Sequence, residues 1–462
     1  MSLHKMELQG KKVLVFGSGI SGIGAAKLLE AVGARVVLYD GNEKLKKEEL
    51  QKKLPKGSAC EIVLGELSGE VISTLDLAVM SPGVPLDIAP VERMQAAGVP
   101  VWGEVELAYR MGEGTVLAIT GTNGKTTTTA LLGEIMKAYA NSVFVVGNIG
   151  NPYTEAALSM NEDSYTVAEI SSFQLETTHT FAPKVSAILN ITEDHLNRHH
   201  TMKEYIRVKE LIAANQTKDD FCILNYEDEE LRRFAEHCPA TVVFFSSERK
   251  LEKGVYLDGT RIVLKTDAEE VELVRTEELK LLGQHNYFDI GVAYGVCSIL
   301  GMDDQVFARG LKTYEPLPHR LQYIGEREGV KYYDDSISTI CDTTIQALKT
   351  LKDTDTVLIG GMDRGIDYGD LIEYLSDCQV PHIILMEATG KRIYQEIHKY
   401  YPEFKNRARL ILAEHLEDGV KRARQITRPG TSCVLSPAAA SYGIFRNFEE
   451  RGETFSRLVF NK

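Results

Sequence analysis

Short apolar runs alternate along the whole chain with longer stretches in which apolar positions recur at helical spacing. This alternation predicts repeated strand–helix units and an α/β fold built on parallel sheets. Three of the runs open separate regions. Val13-Leu14-Val15-Phe16 opens the first and leads into Gly17-Ser18-Gly19-Ile20-Ser21-Gly22. A helix is predicted over 24–32, then a strand over 36–39 that ends at Asp40, and the region closes near Trp102-Gly103. Val116-Leu117-Ala118-Ile119 opens the second, ahead of a second glycine loop and a helix predicted over 126–138. Val330-Lys331-Tyr332-Tyr333 opens the third, which continues through apolar runs at 357–361, 383–386 and 432–437. Pro316-Leu317-Pro318 is the expected linker and hinge, because paired prolines interrupt regular structure. The expected domains are 1–103, 104–316 and 317–462, a division that suits a chain of 462 residues.

The second glycine loop carries the most specific chemistry. Gly121-Thr122-Asn123-Gly124-Lys125-Thr126-Thr127 sits between a predicted strand and a predicted helix. Glycines let backbone N–H groups turn inward on phosphate oxygens, and the helix N-terminus adds its positive dipole end. Lys125 reaches terminal phosphates and the Thr126 hydroxyl can ligate Mg²⁺. The loop is shorter than the general P-loop, which has a glycine six positions before the lysine; that position is Ile119. A nucleoside triphosphate, ATP, is the expected ligand.

Gly17–Gly22 fits G-x-G-x-x-G after a strand, with Asp40 at the end of the next strand. From the residues alone this is a dinucleotide site with Asp40 on a ribose, a site for another nucleotide, or a structural turn. Three clusters follow the phosphate loop. Val167-Ala168-Glu169-Ile170-Ser171-Ser172-Phe173-Gln174 puts a carboxylate at the end of an apolar run, where Mg²⁺ is held in P-loop folds. Asn190-Ile191-Thr192-Glu193-Asp194-His195 follows another buried strand, with His195 as a metal ligand or a hydrogen-bonded loop histidine. Lys209 lies on a helix predicted over 202–214, where lysine is ordinarily a surface residue.

Composition narrows the surroundings. The net charge of −14 and the lack of a long basic run argue against a nucleic-acid partner. No apolar run approaches the ~20 residues of a membrane helix and no leader-like segment opens the chain, so a cytoplasmic protein without membrane association is expected. Seven scattered cysteines without a C-x-x-C fit reduced thiols.

Taken together, G-T-N-G-K-T-T, Glu169 with Ser-Ser-Phe-Gln, Asn190-Ile-Thr-Glu-Asp-His195, Gly283-Gln-His-Asn286 and the stretch from Leu435 to Gly452 resemble the Mur ligase family. The resemblance spans the chain in order. It implies three α/β domains: a Rossmann-like N-terminal domain, a P-loop-type central ATPase domain and a Rossmann-like C-terminal domain. It implies an ATP-dependent amide ligase of peptidoglycan synthesis that acts through an acyl phosphate, with UDP-N-acetylmuramoyl-L-alanine and D-glutamate as substrates and a monomeric chain.

Residue roles follow from the same resemblance. The first glycine loop would hold UDP and not NAD, with Ile20, Ser21, Asp40, Ser81, Asn148 and Gln174 on the UDP substrate. ATP would contact Gly121, Thr122, Asn123, Gly124, Lys125, Thr126, Thr127, Asn286, Asp289, Arg320 and Asp335. Thr126, Glu169, His195 and Lys209 would hold two Mg²⁺, Lys209 as a CO₂-derived carbamate. Lys125, His195 and Lys209 would be catalytic, and Thr339, Arg364, Ser441 and Phe448 would bind D-glutamate. The chain departs from the family pattern at Ile337 and Ile340, where lysine and asparagine are usual, at Asp289, where asparagine is common, and at Arg364, where lysine is common. The competing readings are a sibling or folyl-polyglutamate-type ligase for another amino acid, and an NAD-dependent oxidoreductase.

Overall fold

A computed structural model describes residues 7–460 apart from 149, 150, 268, 280–283 and 406. Gly283, quoted above in a motif, and Ile149-Gly150, which follow Asn148, therefore lie outside the described residues. The protein is mixed α/β on three sheets.

The first sheet contains β1 (Lys12–Phe16), β2 (Arg35–Asp40), β3 (Glu61–Leu64), β4 (Leu77–Met80) and β5 (Val101–Gly103) in the order β3-β2-β1-β4-β5, all parallel. The second contains β6 (Thr115–Thr120), β7 (Val143–Gly147), β8 (Tyr165–Glu169), β9 (Val185–Ile188), β10 (Phe221–Asn225), β11 (Thr241–Ser246), β12 (Gly254–Asp258), β13 (Arg261–Lys265) and β14 (Glu270–Arg275). Its order is β14-β13-β12-β11-β10-β9-β6-β8-β7. The third contains β15 (Gln322–Arg327), β16 (Val330–Asp334), β17 (Thr354–Gly360), β18 (His382–Met386), β19 (Leu410–Ala413) and β20 (Ser432–Leu435), in the order β15-β16-β20-β17-β18-β19.

The sheets are not purely parallel. β12, β13 and β14 form an antiparallel meander, and β15 runs antiparallel to β16. The β12–β13 turn passes through Gly259 at φ +64°, so an Asp-Gly hairpin replaces the helical crossover that parallel strands need. The central strands are covered on both faces, as parallel strands between helical layers are: every residue of β4 and of β17 is buried.

The chain divides into two compact units, Met1–Leu279 with Phe288–Tyr314, and Lys280–Tyr287 with Glu315–Lys462. Within the first unit the two sheets are tied together. The buried Glu104 carboxylate accepts from the Thr154 backbone N–H and hydroxyl at 2.8 and 2.9 Å. Lys27 pairs with Glu155 at 3.1 Å, and Arg198 donates to the Val84 carbonyl at 3.0 Å. In both sheets a glycine loop follows a strand whose two parallel neighbours lie on either side, where the chain's progress across the sheet reverses. β1 lies between β2 and β4, and β6 between β8 and β9, which are the switch points where open α/β sheets bind ligands. Among the described residues no helix is long and apolar enough to cross a membrane.

Candidate functional site

The phosphate loop leaves β6 at Thr120 and enters helix α1 (Lys125–Tyr139) through Gly124, which caps it at φ +85°. Both loop glycines are required. Gly121 has φ +152°, and a Cβ there would meet Leu189 Cβ at 2.9 Å; a Cβ on Gly124 would meet Asp289 at 2.8 Å. The strand end after β9 pins the loop from one side. Thr122 N–H donates to the Asn190 carbonyl (2.9 Å), and Asn123 N–H to the Asn190 side chain (2.8 Å). The Thr122 hydroxyl lies 3.1 Å from the Tyr205 hydroxyl. The Thr128 hydroxyl donates to Asp289 at 2.8 Å, so Asp289 braces the first turn of α1.

Lys125 folds over its own loop and donates to the carbonyls of Gly121 (2.9 Å) and Thr122 (2.8 Å). A second amine reaches the same place. Lys209, on helix α2 (Met202–Glu210), donates to the Gly121 carbonyl at 2.8 Å and is 1% exposed. Burial, reinforced by the nearby Lys125 charge, pushes its amine down to about 7 from 10.5. The predicted helix over 202–214 is shorter than expected and tightens into a 3₁₀ turn at Leu211–Ala213.

Glu169 ends β8, paired with Ile119 of β6 in the sheet, and so stands beside the strand that launches the phosphate loop. Its side chain is 1% exposed. One oxygen accepts from the Asn148 amide at 2.8 Å; the other has no hydrogen-bond partner among the described residues. A buried orphan carboxylate oxygen at this place suits a cation. His195 adopts φ +53°, pairs with Asp194 at 3.3 Å and packs against Phe173 with ring centroids 4.8 Å apart and the planes tilted by 53°. Among the described residues no three His, Cys, Asp or Glu side chains converge on a metal position. The candidate set contains only two residues of those types, Glu169 and His195.

The first glycine loop has similar geometry and different chemistry. A Cβ on Gly22 would lie 1.8 Å from the Gly17 carbonyl, and one on Gly17 2.7 Å from Ser81 Oγ. Asp40 closes the loop by accepting from the Ser18 N–H (3.0 Å) and hydroxyl (2.5 Å). Ile20 is 76% exposed at the start of the following helix. Gln174 spends its carbonyl oxygen on the Ser171 N–H and hydroxyl, both at 3.0 Å, in a capping box.

In the second unit Asp335 is buried immediately after β16. It accepts from Ser436 (2.6 Å) and the Leu321 N–H (3.0 Å), and burial pushes its carboxyl up to about 6. Arg320 stands between His319 and Leu321, both at positive φ. Arg364 donates to the Thr339 carbonyl at 2.7 Å, and the Phe448 carbonyl accepts from Ser336 at 2.8 Å. Ser441 is buried and Asn286 is buried on helix α3 (Gln284–Ile299).

Residues 119–297 match the Mur ligase middle domain, and residues 11–103 match the MurD-like Mur ligase N-terminal domain. The UDP-N-acetylmuramoylalanine–D-glutamate ligase of Lachnoclostridium phytofermentans is 46% identical over 98% of this chain and 99% of its own. The chain belongs to the Mur ligase family. The ligase of the same description from Clostridioides difficile is 37% identical over 99% of this chain and 100% of its own. The UDP-N-acetylmuramate–alanine ligase of Thermotoga maritima superposes with a TM-score of 0.60 at 19% identity, over 98% of this chain and 100% of that one, and so shares the fold. In this Mur ligase, reading the sequence missed Tyr205, Glu104 and Arg451. All three are buried polar groups whose partners are distant in sequence. The only signal available was an ionisable or hydroxyl residue on an apolar helix face, which Tyr205 and Lys209 share at i, i+4.

Proposed function

We propose that this Mur ligase uses ATP to join D-glutamate to UDP-N-acetylmuramoyl-L-alanine, as an acid–amino-acid ligase of cytoplasmic peptidoglycan synthesis. The observation that carries the reading is the phosphate loop backed by a buried lysine and a buried carboxylate, in a chain that aligns end to end with relatives of that description. The proposed domains are 1–103, 104–316 and 317–462, hinged at Pro316-Leu317-Pro318, in a monomer.

A carboxylate is a poor electrophile, and phosphorylation supplies its leaving group. The L-alanyl carboxylate attacks the γ-phosphorus of ATP, ADP departs and an acyl phosphate forms. The amine of D-glutamate attacks the acyl carbon, and the tetrahedral intermediate expels phosphate. The protein's task is to orient the reactants and to neutralise charge at the transferring phosphoryl group. Lys125, now spent on two loop carbonyls, is the mobile cation for that charge. Gly121–Thr127 cradles the phosphates, with Asn286, Asp289, Arg320 and Asp335 completing the nucleotide site.

Glu169 fits a divalent cation through its orphan oxygen, and Thr126, Glu169, His195 and Lys209 would hold two Mg²⁺. Bound Mg²⁺ supplies further neutralisation of phosphate charge. Only a neutral amine adds CO₂, and the depressed pKa of Lys209 supports a carbamate there, which turns a cation into an oxygen ligand. Asp40 and Ser81, at the first loop, with Ile20, Ser21, Asn148 and Gln174, form the UDP-substrate site. Thr339, Arg364, Ser441 and Phe448 form the D-glutamate site. The test is phosphate release from ATP with UDP-N-acetylmuramoyl-L-alanine and a panel of D- and L-amino acids. Turnover with D-glutamate well above all others is expected; turnover without preference for it would overturn the reading.

A further inference from the structure

The segment Asp334-Asp335-Ser336-Ile337-Ser338-Thr339-Ile340 contains two acids and no base. Asp334 and Asp335 are 1% and 3% exposed, so the cations that balance them must come from elsewhere in the fold. One of them comes from helix α4 (Phe448–Phe460). Arg451, on its first turns, is 1% exposed and ranks among the largest fully buried side chains of the protein. Its Nε donates to the Ser336 hydroxyl at 2.9 Å and one terminal nitrogen donates to the Ser336 carbonyl at 2.8 Å. Ser336 in turn donates to the Phe448 carbonyl, closing a ring between strand end and helix start.

The other terminal nitrogen, Nη1, has no hydrogen-bond partner among the described residues. It is aimed at Gly361, where a Cβ would meet it at 2.9 Å and the Ala440 carbonyl at 2.4 Å. The guanidinium therefore touches the segment at Ser336 and packs against Gly361, whose neighbour Met362 donates its N–H to the Ala440 carbonyl at 2.8 Å. Gly361 precedes Met362 and Arg364, and Ala440 precedes Ser441. Arg364 grips the far end of the acidic segment through the Thr339 carbonyl at 2.7 Å. Asp334, Asp335 and Glu387 face Arg451 electrostatically, and burial holds its guanidinium down to about 10.

We infer that Arg451 is a positioning residue that aligns Thr339, Arg364 and Ser441 for the incoming amino acid by clamping Ser336 and packing against Gly361, next to the Met362–Ala440 backbone pair. It does not contact substrate. The planar fork is essential, because separate nitrogens of one plane reach the Ser336 hydroxyl and carbonyl while the third lies against Gly361, which the single nitrogen of an ammonium does not reproduce. This inference rests on the D-glutamate reading above, and wild-type turnover with D-glutamate tests that reading separately.

The experiment is steady-state kinetics of R451K and S336A beside thermal unfolding of each. R451K keeps the charge and loses the fork. Its KM for D-glutamate is expected to rise roughly tenfold or more, while its KM for ATP and for the UDP substrate stay within about twofold. S336A keeps the carbonyl and loses the hydroxyl, and its rise is expected to be smaller and confined to the same KM. A merely structural arginine would instead scale kcat with the folded fraction and leave every KM alone. That outcome, or a wild-type KM for D-glutamate in both variants, overturns the inference. If R451K does not fold, S336A alone decides by the same split.

Discussion

The two glycine loops of the first unit share a backbone plan and differ in charge. Each leaves a central parallel strand at a topological switch point, turns on positive-φ glycines and opens a helix. The loop after β1 is closed by a carboxylate, with Asp40 bonded to the Ser18 N–H and hydroxyl. The loop after β6 is closed by amines, with Lys125 and Lys209 both on the Gly121 carbonyl. Geometry of this kind makes a place for a phosphate-bearing ligand; the side chains at its rim decide which part of the ligand it manages. An acid at the rim selects hydroxyl or N–H donors and tolerates a diphosphate only through backbone. Two amines at the rim select an anion whose charge changes during reaction.

If this contrast is right, removing the cation and removing the acid must have different consequences. The largest effect is expected for Lys125→Ala. It should lower kcat for phosphate release by about 10³-fold or more, because no other side chain of the loop carries charge. Retained turnover would collapse the distinction between the loops. Lys209→Ala is next, with activity lost and partly restored by added short carboxylates, which replace a carbamate's oxygens; full activity without them would refute the modified lysine. Asp40→Asn should leave kcat within about threefold and raise the KM of the UDP substrate by roughly ten- to a hundredfold, the value of one or two charge-assisted hydrogen bonds. An effect on the KM of ATP instead would mean that the two loops had been assigned to the wrong ligands.

The smallest effect concerns pH. The Lys209 amine is depressed to about 7 from 10.5 in the folded protein, with the Lys125 and Asp194 charges facing it. Between those values the unfolded chain binds the extra proton, so folding stability rises with pH across that window and is flat below it. In bicarbonate-free buffer, the urea midpoint of wild type should gain on that of Lys209→Met between pH 7 and 9. Parallel curves would show that the amine titrates normally.

Much of the fold was legible because apolar runs and glycine punctuation report it locally. The runs predicted to open the three regions fall on β1, β6 and β16, although the third sheet begins one strand earlier with the antiparallel β15, and α1 starts within one residue of its predicted start. The antiparallel meander was not legible as such. The parallel reading came from the rule that helical patterns separate the strands, and Asp258-Gly259 breaks that rule with a tight turn. In the site, the glycine loops announce themselves through spacing that only a turn before a helix explains. Lys209 does not, since its burial depends on β6 and α2 meeting 88 residues apart in sequence. The Asp289–Thr128 brace spans 161 residues and the Arg451–Ser336 clamp 115, distances over which periodicity carries no information. Asn148 has a definite partner, the Glu169 carboxylate, that local pattern could not name.

One peptide oxygen, that of Gly121, accepts from both lysine amines. It is consequently a built-in spectroscopic reporter. A single ¹³C label at that carbonyl would shift when either lysine changes its protonation, its covalent state or its partner, and so would register nucleotide capture and lysine modification in one resonance.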